Sequence, residues 1–179
     1  YSSAASDVYK RQVYMYDAVA IGELLVDFAC QSTDVGGYPV LAAHPGGAPA
    51  NFLAVLAHYG MKTALLAKVG DDVFGRLLCR TAAQAGIDTV GIVADGSVFT
   101  TLAFVTLDTD GDRDFSFARK PGADMLLRYD ELNLSLIDQT RVFHFGSVSM
   151  TDEPSRDATG RAVEYARGRG KLVTYDPNL

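Results

Sequence analysis

Gly46-Gly47-Ala48-Pro49-Ala50-Asn51 puts two glycines and an amide side chain where a loop turns into a helix. Paired glycines let backbone come close to a ligand, and Pro49 suits a first helical turn, where a missing N–H costs nothing. Asn51 then falls in that first turn, with a donor and an acceptor to offer vicinal hydroxyls. A second group with chemistry is Asp27, in Gly22-Glu23-Leu24-Leu25-Val26-Asp27-Phe28. At the carboxyl end of a strand in an open α/β sheet a side chain lines the ligand crevice, and one carboxylate can accept from two hydroxyls at once. Together these residues have the chemistry of a grip on a small polyol. Each alone has a plainer reading, the turn as the start of a helix and Asp27 as a surface carboxylate.

Other constellations fail on spacing. Asp108-Thr109-Asp110-Gly111-Asp112 has its glycine one position early for a calcium loop, and the twelfth position is Arg119 where a bidentate Glu is needed. Gly146-Ser147-Val148-Ser149-Met150 lacks the second glycine of a nucleophile elbow. His44, His58 and His144 have no metal-ligand spacing, so no protein-held metal is expected, and His144 between Phe143 and Phe145 reads as a core residue. No G-x-G-x-x-G turn follows the first strand, and no phosphate loop of the G-x-x-x-x-G-K type occurs.

The 179 residues, 48% hydrophobic, suit one ordinary domain with a real core. A formal charge of -6 with no basic stripe argues against nucleic acid or an anionic membrane as the main partner. Glu23 and Asp27 interrupt the best apolar run, at 18–28, so no spanning helix is expected. Cys30 and Cys79 have neither zinc nor disulfide spacing and lie in apolar sequence, the pattern of a reduced, cytoplasmic protein. Residues 1–13 are polar, without an apolar signal region, and Met15 just precedes the first strand. The natural chain is therefore expected to start at Met15, with residues 1–14 a non-native or disordered leader.

The elements that must hold Asp27 and the glycine turn alternate as strand and helix, which predicts an α/β fold with a doubly wound, mostly parallel sheet. Residues 18–28 read as strand, loop and strand, and 50–59 as a helix with Phe52, Leu56 and Tyr59 on one face, stopped by Gly60. A buried strand at 62–69 follows, then a helix capped by Asp71 or Asp72 and closed by Gly86, and a strand at 89–93. Two β-type runs, 100–107 and 113–119, flank hairpin turn chemistry and read as a lid or a dimer contact. Beyond it, 130–138 reads as helix, 142–145 as strand, 154–169 as helix and 171–175 as strand.

These segments resemble, in order, the PfkB-type (ribokinase-like) carbohydrate kinases, and bacterial-type fructokinases most closely. The likeness runs through 22–28, 45–51, Lys68-Val69-Gly70-Asp71-Asp72-Val73-Phe74-Gly75, Asp114-Phe115-Ser116-Phe117, Pro121-Gly122-Ala123-Asp124, Phe143-His144-Phe145-Gly146-Ser147 and Tyr175-Asp176-Pro177-Asn178-Leu179. The resemblance implies a Rossmann-like domain with a small β lid at about 99–119, moving the γ-phosphoryl group of ATP, carried with Mg2+, to a sugar hydroxyl. For a fructokinase the product is fructose 6-phosphate. It also implies that Asp27, Gly46, Gly47 and Asn51 bind the sugar. Phe104 or Phe117 would give apolar cover and Arg119 a hydroxyl contact or charge, with Asp176 and Asn178 near the substrate.

The sequence departs from the family in places. Leu53 stands where a small residue is usual, and Ala118 and Lys120 flank Arg119 where fructokinases often have an aromatic residue and Asn. The family's Gly-Ala-Gly-Asp turn, which supplies an anion hole and the general base, is absent from these residues. The chain is therefore expected to be the N-terminal, sugar-binding half of a kinase, truncated before its ATP-binding and catalytic half and inactive alone. Lid sheets in the family often pair between subunits, which leaves a homodimer open. Rival readings are a 2-keto-3-deoxygluconate kinase or ribokinase-type enzyme, a non-catalytic sugar-binding protein on the same scaffold, and a dimerisation module.

Overall fold

The computed structural model describes residues 14–107 and 113–178. Most of the expected leader, the lid turn at 108–112 and Leu179 lie outside the described residues. Tyr16–Ile21 (β1), Thr63–Gly70 (β4), Thr140–Gly146 (β9) and Leu172–Asp176 (β10) form the parallel centre of one sheet, ordered β10-β9-β1-β4. Ile87–Asp88 (β5) and Ile92–Asp95 (β6) both pair with β4. β4 is buried along its whole length and β1 nearly so, as a sheet covered on both faces requires. Helices Ala48–His58 (α1) and Val73–Gln84 (α2) pack one face, where Leu53, Leu65, Leu78 and Val69 meet. On the other face Leu134–Asp138 (α3) and Ser155–Gly168 (α4) enclose Phe143, Ile137, Leu66 and Ala162. No described helix is long and apolar enough to cross a membrane.

The second sheet has four strands, ordered β3-β2-β7-β8: Pro39–Gly46 (β3), Leu25–Thr33 (β2), Leu102–Leu107 (β7) and Arg113–Ala118 (β8). The expected lid hairpin is its β7-β8 half. In the other half the start of β2 was expected as the second strand of 18–28, while β3 escapes sequence reading because it carries Pro39 and Pro45 and no clean alternation. Both are tolerable on an edge strand, whose N–H groups need no partner. Asp27 consequently belongs to the lid sheet, and not to the end of a central parallel strand as its sequence context suggested.

Several boundaries differ from the sequence reading for identifiable reasons. The expected strand at 89–93 is split, because Gly91 is pressed against the Leu65 carbonyl and Ile92 N–H turns back to Thr89 O at 2.9 Å. The expected helix at 130–138 is a 3-10 turn at Tyr129–Glu131 followed by the short α3. Glu131 folds back onto Arg128 N–H (2.8 Å) and onto Lys68 Nζ (2.8 Å), which ends the first turn. In α1 the buried face is Pro49, Ala50 and Leu53, while Phe52 and Leu56 pack at its margin and Tyr59 is 76% exposed. Tyr59 is the C-cap, already past the last helical residue, and Gly60 follows at φ +82° as expected. Leu53 fills the core completely. Cys30 is exposed on the lid, contrary to its expected apolar surroundings, and Cys79 is half-buried; both are free thiols.

Two polar anchors hold the site's scaffold. Asp72 caps α2 through Phe74 and Gly75 N–H (2.9 and 2.8 Å) and reaches Thr100 N–H (2.7 Å), tying the helix start to the root of β7. Burial opposes its charge, but these hydrogen bonds prevail and hold its pKa below the usual carboxylate range. Lys68, 1% exposed in an otherwise apolar strand, bonds Asp95 (2.9 Å), Glu131 (2.8 Å) and the Leu126 carbonyl (3.1 Å). Its three donors are thus matched by three acceptors from three other segments.

Candidate functional site at the sheet switch point

The central sheet reverses its winding at β1. From β1 the chain moves outward to β4, then returns to lay β9 and β10 on the other side. A crevice opens beyond the carboxyl ends of the strands at such a point. The first turn of α1 stands over it. Gly22, just past β1, and Gly146, at the end of β9, both face the Pro49 ring; a Cβ on Gly146 would lie 3.6 Å from Pro49 Cγ, and one on Gly22 closer still. His144 on β9 stacks on Phe52 (4.1 Å between centroids) and bonds Thr174 Oγ1 through Nδ1 at 2.9 Å, the core role expected of it.

Gly47 is the N-cap of α1, with φ +120°, a backbone state that an L side chain rarely adopts. A Cβ there would also strike the Glu23 carbonyl. Gly46 ends β3 against β2, and any Cβ at that position would overlap Asp27 Oδ2. Asp27 is thus pressed against backbone. No described residue donates a hydrogen bond to its carboxylate, and burial pushes its pKa up, partly offset by His44 opposite. The Asn51 amide, exposed in the first turn of α1, likewise has no hydrogen-bond partner among the described residues. Gly46 and Asn51 both line a cavity of about 70 Å³ between α1 and α2. A larger hollow of about 400 Å³ runs beside α2 and β6, and none of Asp27, Gly46, Gly47 and Asn51 lines it.

The register separates the two expected lid aromatics. Asp27 pairs with Ala103, and Ala103 with Phe117, so Asp27 and Phe117 share one face of the lid. Phe104 pairs with Phe28 and stacks on it at 5.4 Å, on the opposite face, where Phe28 meets Phe74 of α2. Phe104 therefore packs the lid onto α2, away from Asp27. Arg119, just after β8, is engaged by protein: Nε and Nη2 both reach Asp124 Oδ2 at 2.8 Å, Nη2 meets the Val148 carbonyl (3.3 Å) and Nη1 Thr151 Oγ1 (3.2 Å). Thr101, at the start of β7, bonds the other Asp124 oxygen. Both stems of the lid hairpin are thereby fastened to one buried carboxylate.

Asp176 ends β10 at the same end of the sheet but two strands from β1, its carboxylate accepting Asn178 N–H (2.9 Å) and its carbonyl Ser147 N–H (3.1 Å). Asn178 adopts φ +52°. The structure thus gathers Asp27, Gly46, Gly47 and Asn51 into one group, sets Phe117 on its lid face, and keeps Phe104, Arg119, Asp176 and Asn178 apart from it.

Sequence reasoning missed Glu23. It is 3% exposed, its Oε1 accepts Ala48 N–H at 2.9 Å in the first turn of α1, and its Oε2 has no partner. Burial raises its pKa, against the opposing pull of its own and the Ala48 N–H groups. An acid interrupting an apolar run was the only available signal. Among the described residues no three His, Cys, Asp or Glu side chains converge as a metal site would need.

A doubly wound α/β domain with a small β lid is the architecture of a carbohydrate kinase scaffold. The chain belongs to that class: the profile of the pfkB family carbohydrate kinases matches residues 15–179. It is 46% identical over 163 residues to Fructokinase-1 of Oryza sativa subsp. japonica, covering 90% of this chain and 50% of that one. Among solved structures, a fructokinase from Xylella fastidiosa superposes with a TM-score of 0.85 at 35% identity, over 90% of this chain and 50% of the other. A second structure of that protein, with bound ATP, gives 0.83 at 34% identity over 90% and 49%. The chain spans about half the length of the curated relatives it matches.

Proposed function

We propose that the chain is the acceptor-sugar half of an ATP-dependent fructokinase that converts D-fructose to fructose 6-phosphate. The observation carrying this reading is the Asp27 carboxylate, unpartnered among the described residues and lying against Gly46, at the start of the turn that also carries the unpartnered Asn51 amide. A carboxylate and an amide at one glycine turn suit the vicinal hydroxyls of a sugar, with Gly46 and Gly47 allowing close approach and Phe117 covering its C–H face. The fructokinase names of the relatives support fructose as the sugar, and the ATP-bound neighbour supports ATP as donor.

Phosphoryl transfer rests on positioning and on stabilising charge around the γ-phosphoryl group, with a base for the hydroxyl proton. The residues here supply acceptor positioning. The anion hole, the base and the main contacts to Mg-ATP are assigned to sequence beyond Leu179. A coupled ADP-release assay on the complete protein with a panel of sugars tests this reading. D-fructose as the preferred acceptor supports it; preference for 2-keto-3-deoxygluconate or ribose redirects the substrate, and no turnover with any sugar favours a non-catalytic binding protein.

A further inference from the structure

One row of side chains crosses the whole lid: His44 on β3, Asp27 on β2, Ala103 on β7 and Phe117 on β8, each in register with the next. Paired residues in a sheet present their side chains on the same face. The row therefore runs from an imidazole through a carboxylate and a methyl group to a phenyl ring. Its neighbours set its position. Leu25 and Gly46 flank it toward the glycine turn, and the Arg119–Asp124 pair stands at the stem of β8. His44 is exposed and has no hydrogen bond to a described residue, yet lies near enough to Asp27 to act on its charge.

We propose that His44 is a specificity-determining residue of the acceptor site, its imidazole taking a sugar hydroxyl adjacent to the one held by Asp27. This rests on the sugar-kinase reading above. The polar end of the row, His44 and Asp27, meets hydroxyls, and Phe117 meets the C–H face. Ala103, between Asp27 and Phe117 in the row, is fully buried and presents no surface of its own to the sugar. A carboxylate alone only accepts, so it attracts any hydroxyl within reach. An imidazole on the next strand adds a second, directional contact, and thereby selects the relative orientation of two hydroxyls.

The test compares the complete protein with its His44→Ala and His44→Gln variants, measuring kcat and KM for D-fructose and for its monodeoxy analogues. In His44→Ala the KM for D-fructose is expected to rise about tenfold, the worth of one hydrogen bond, with kcat within about twofold. His44→Gln recovers part of that loss. The penalty vanishes for the one deoxy analogue that lacks the hydroxyl contacted by His44, a result that a structural role does not produce. An unchanged KM, a loss confined to kcat, or an equal penalty for every analogue overturns the assignment while leaving the kinase reading intact. Absence of turnover by the parent protein on any sugar rejects that reading and the His44 assignment with it.

Discussion

The Asp27 carboxylate occupies the space that a side chain at position 46 would need, so the acid of β2 and the glycine ending β3 form one joint surface. Gly46→Ala is accordingly expected to push Asp27 off its place without disturbing φ. Steady-state kinetics on the complete protein should show KM for the sugar rising tenfold or more. Thermal denaturation should show a loss of about 1 kcal/mol, typical of a modest local clash. Unchanged KM would separate Asp27 from sugar binding.

Gly47→Ala tests a different physical term. At φ +120°, with the Glu23 carbonyl in the way, any Cβ strains the N-cap of α1, and a stability loss of roughly 2 kcal/mol is expected by chemical denaturation. An equal stability would mean that the turn relaxes freely.

Glu23 carries a pH signature. Its folded pKa is raised above the unfolded one, so it favours folding below the ordinary carboxylate pKa of about 4 and loses that contribution as pH rises through the folded value. Glu23→Gln keeps an acceptor for Ala48 N–H and removes the buried charge. Tm of the Gln variant relative to the parent should therefore increase from pH 4 to pH 8. Glu23→Ala, which strands the Ala48 donor, should lower Tm at every pH. A Gln variant tracking the parent across that range would contradict the account.

The lid stem depends on Arg119. Removing its guanidinium leaves Asp124, 2% exposed at its side chain, as an uncompensated buried charge, a change that typically costs roughly 3 kcal/mol. Denaturant unfolding of Arg119→Ala should show a loss of that order, and Arg119→Lys only partial recovery, since an ammonium cannot reproduce the two-nitrogen fork.

The 179 residues alone should behave poorly. β10 ends the described sheet with Leu172 63% and Tyr175 53% exposed, where parallel sheets are normally covered and paired. Dye binding to exposed apolar surface and a broad thermal transition are expected. A sharp, cooperative transition from a soluble monomer would show that this edge needs no further cover.

Much of this architecture was legible because the residues that end elements are chemically unambiguous. Gly60, Gly86 and Gly170 all adopt positive φ where helices stop, and Asp72, one of the two caps expected for α2, is the one that caps it. The glycine turn was legible for the same reason. What stayed hidden depends on pairing at a distance. β3 has no periodic signature, so the four-stranded lid, the His44–Asp27 register and the opposite facing of Phe104 and Phe117 could not be read from spacing. Glu23 looked like an interruption of an apolar run and Lys68 fell unremarked inside an expected buried strand, and only their partners, Ala48 N–H and the Asp95–Glu131 pair, reveal them as anchors. Arg119 was expected to offer the sugar a hydroxyl contact or a charge, because Asp124 reaches it only once the lid stem folds back.

Asp27 is the residue whose removal is expected to matter most. In a coupled ADP-release assay with D-fructose and Mg-ATP, the complete protein is expected to turn over, and Asp27→Ala to lower kcat/KM by roughly 100-fold or more, as loss of a charged contact to two hydroxyls implies. Equal kcat/KM in parent and variant would contradict the claim that this carboxylate and its glycine turn hold the acceptor sugar.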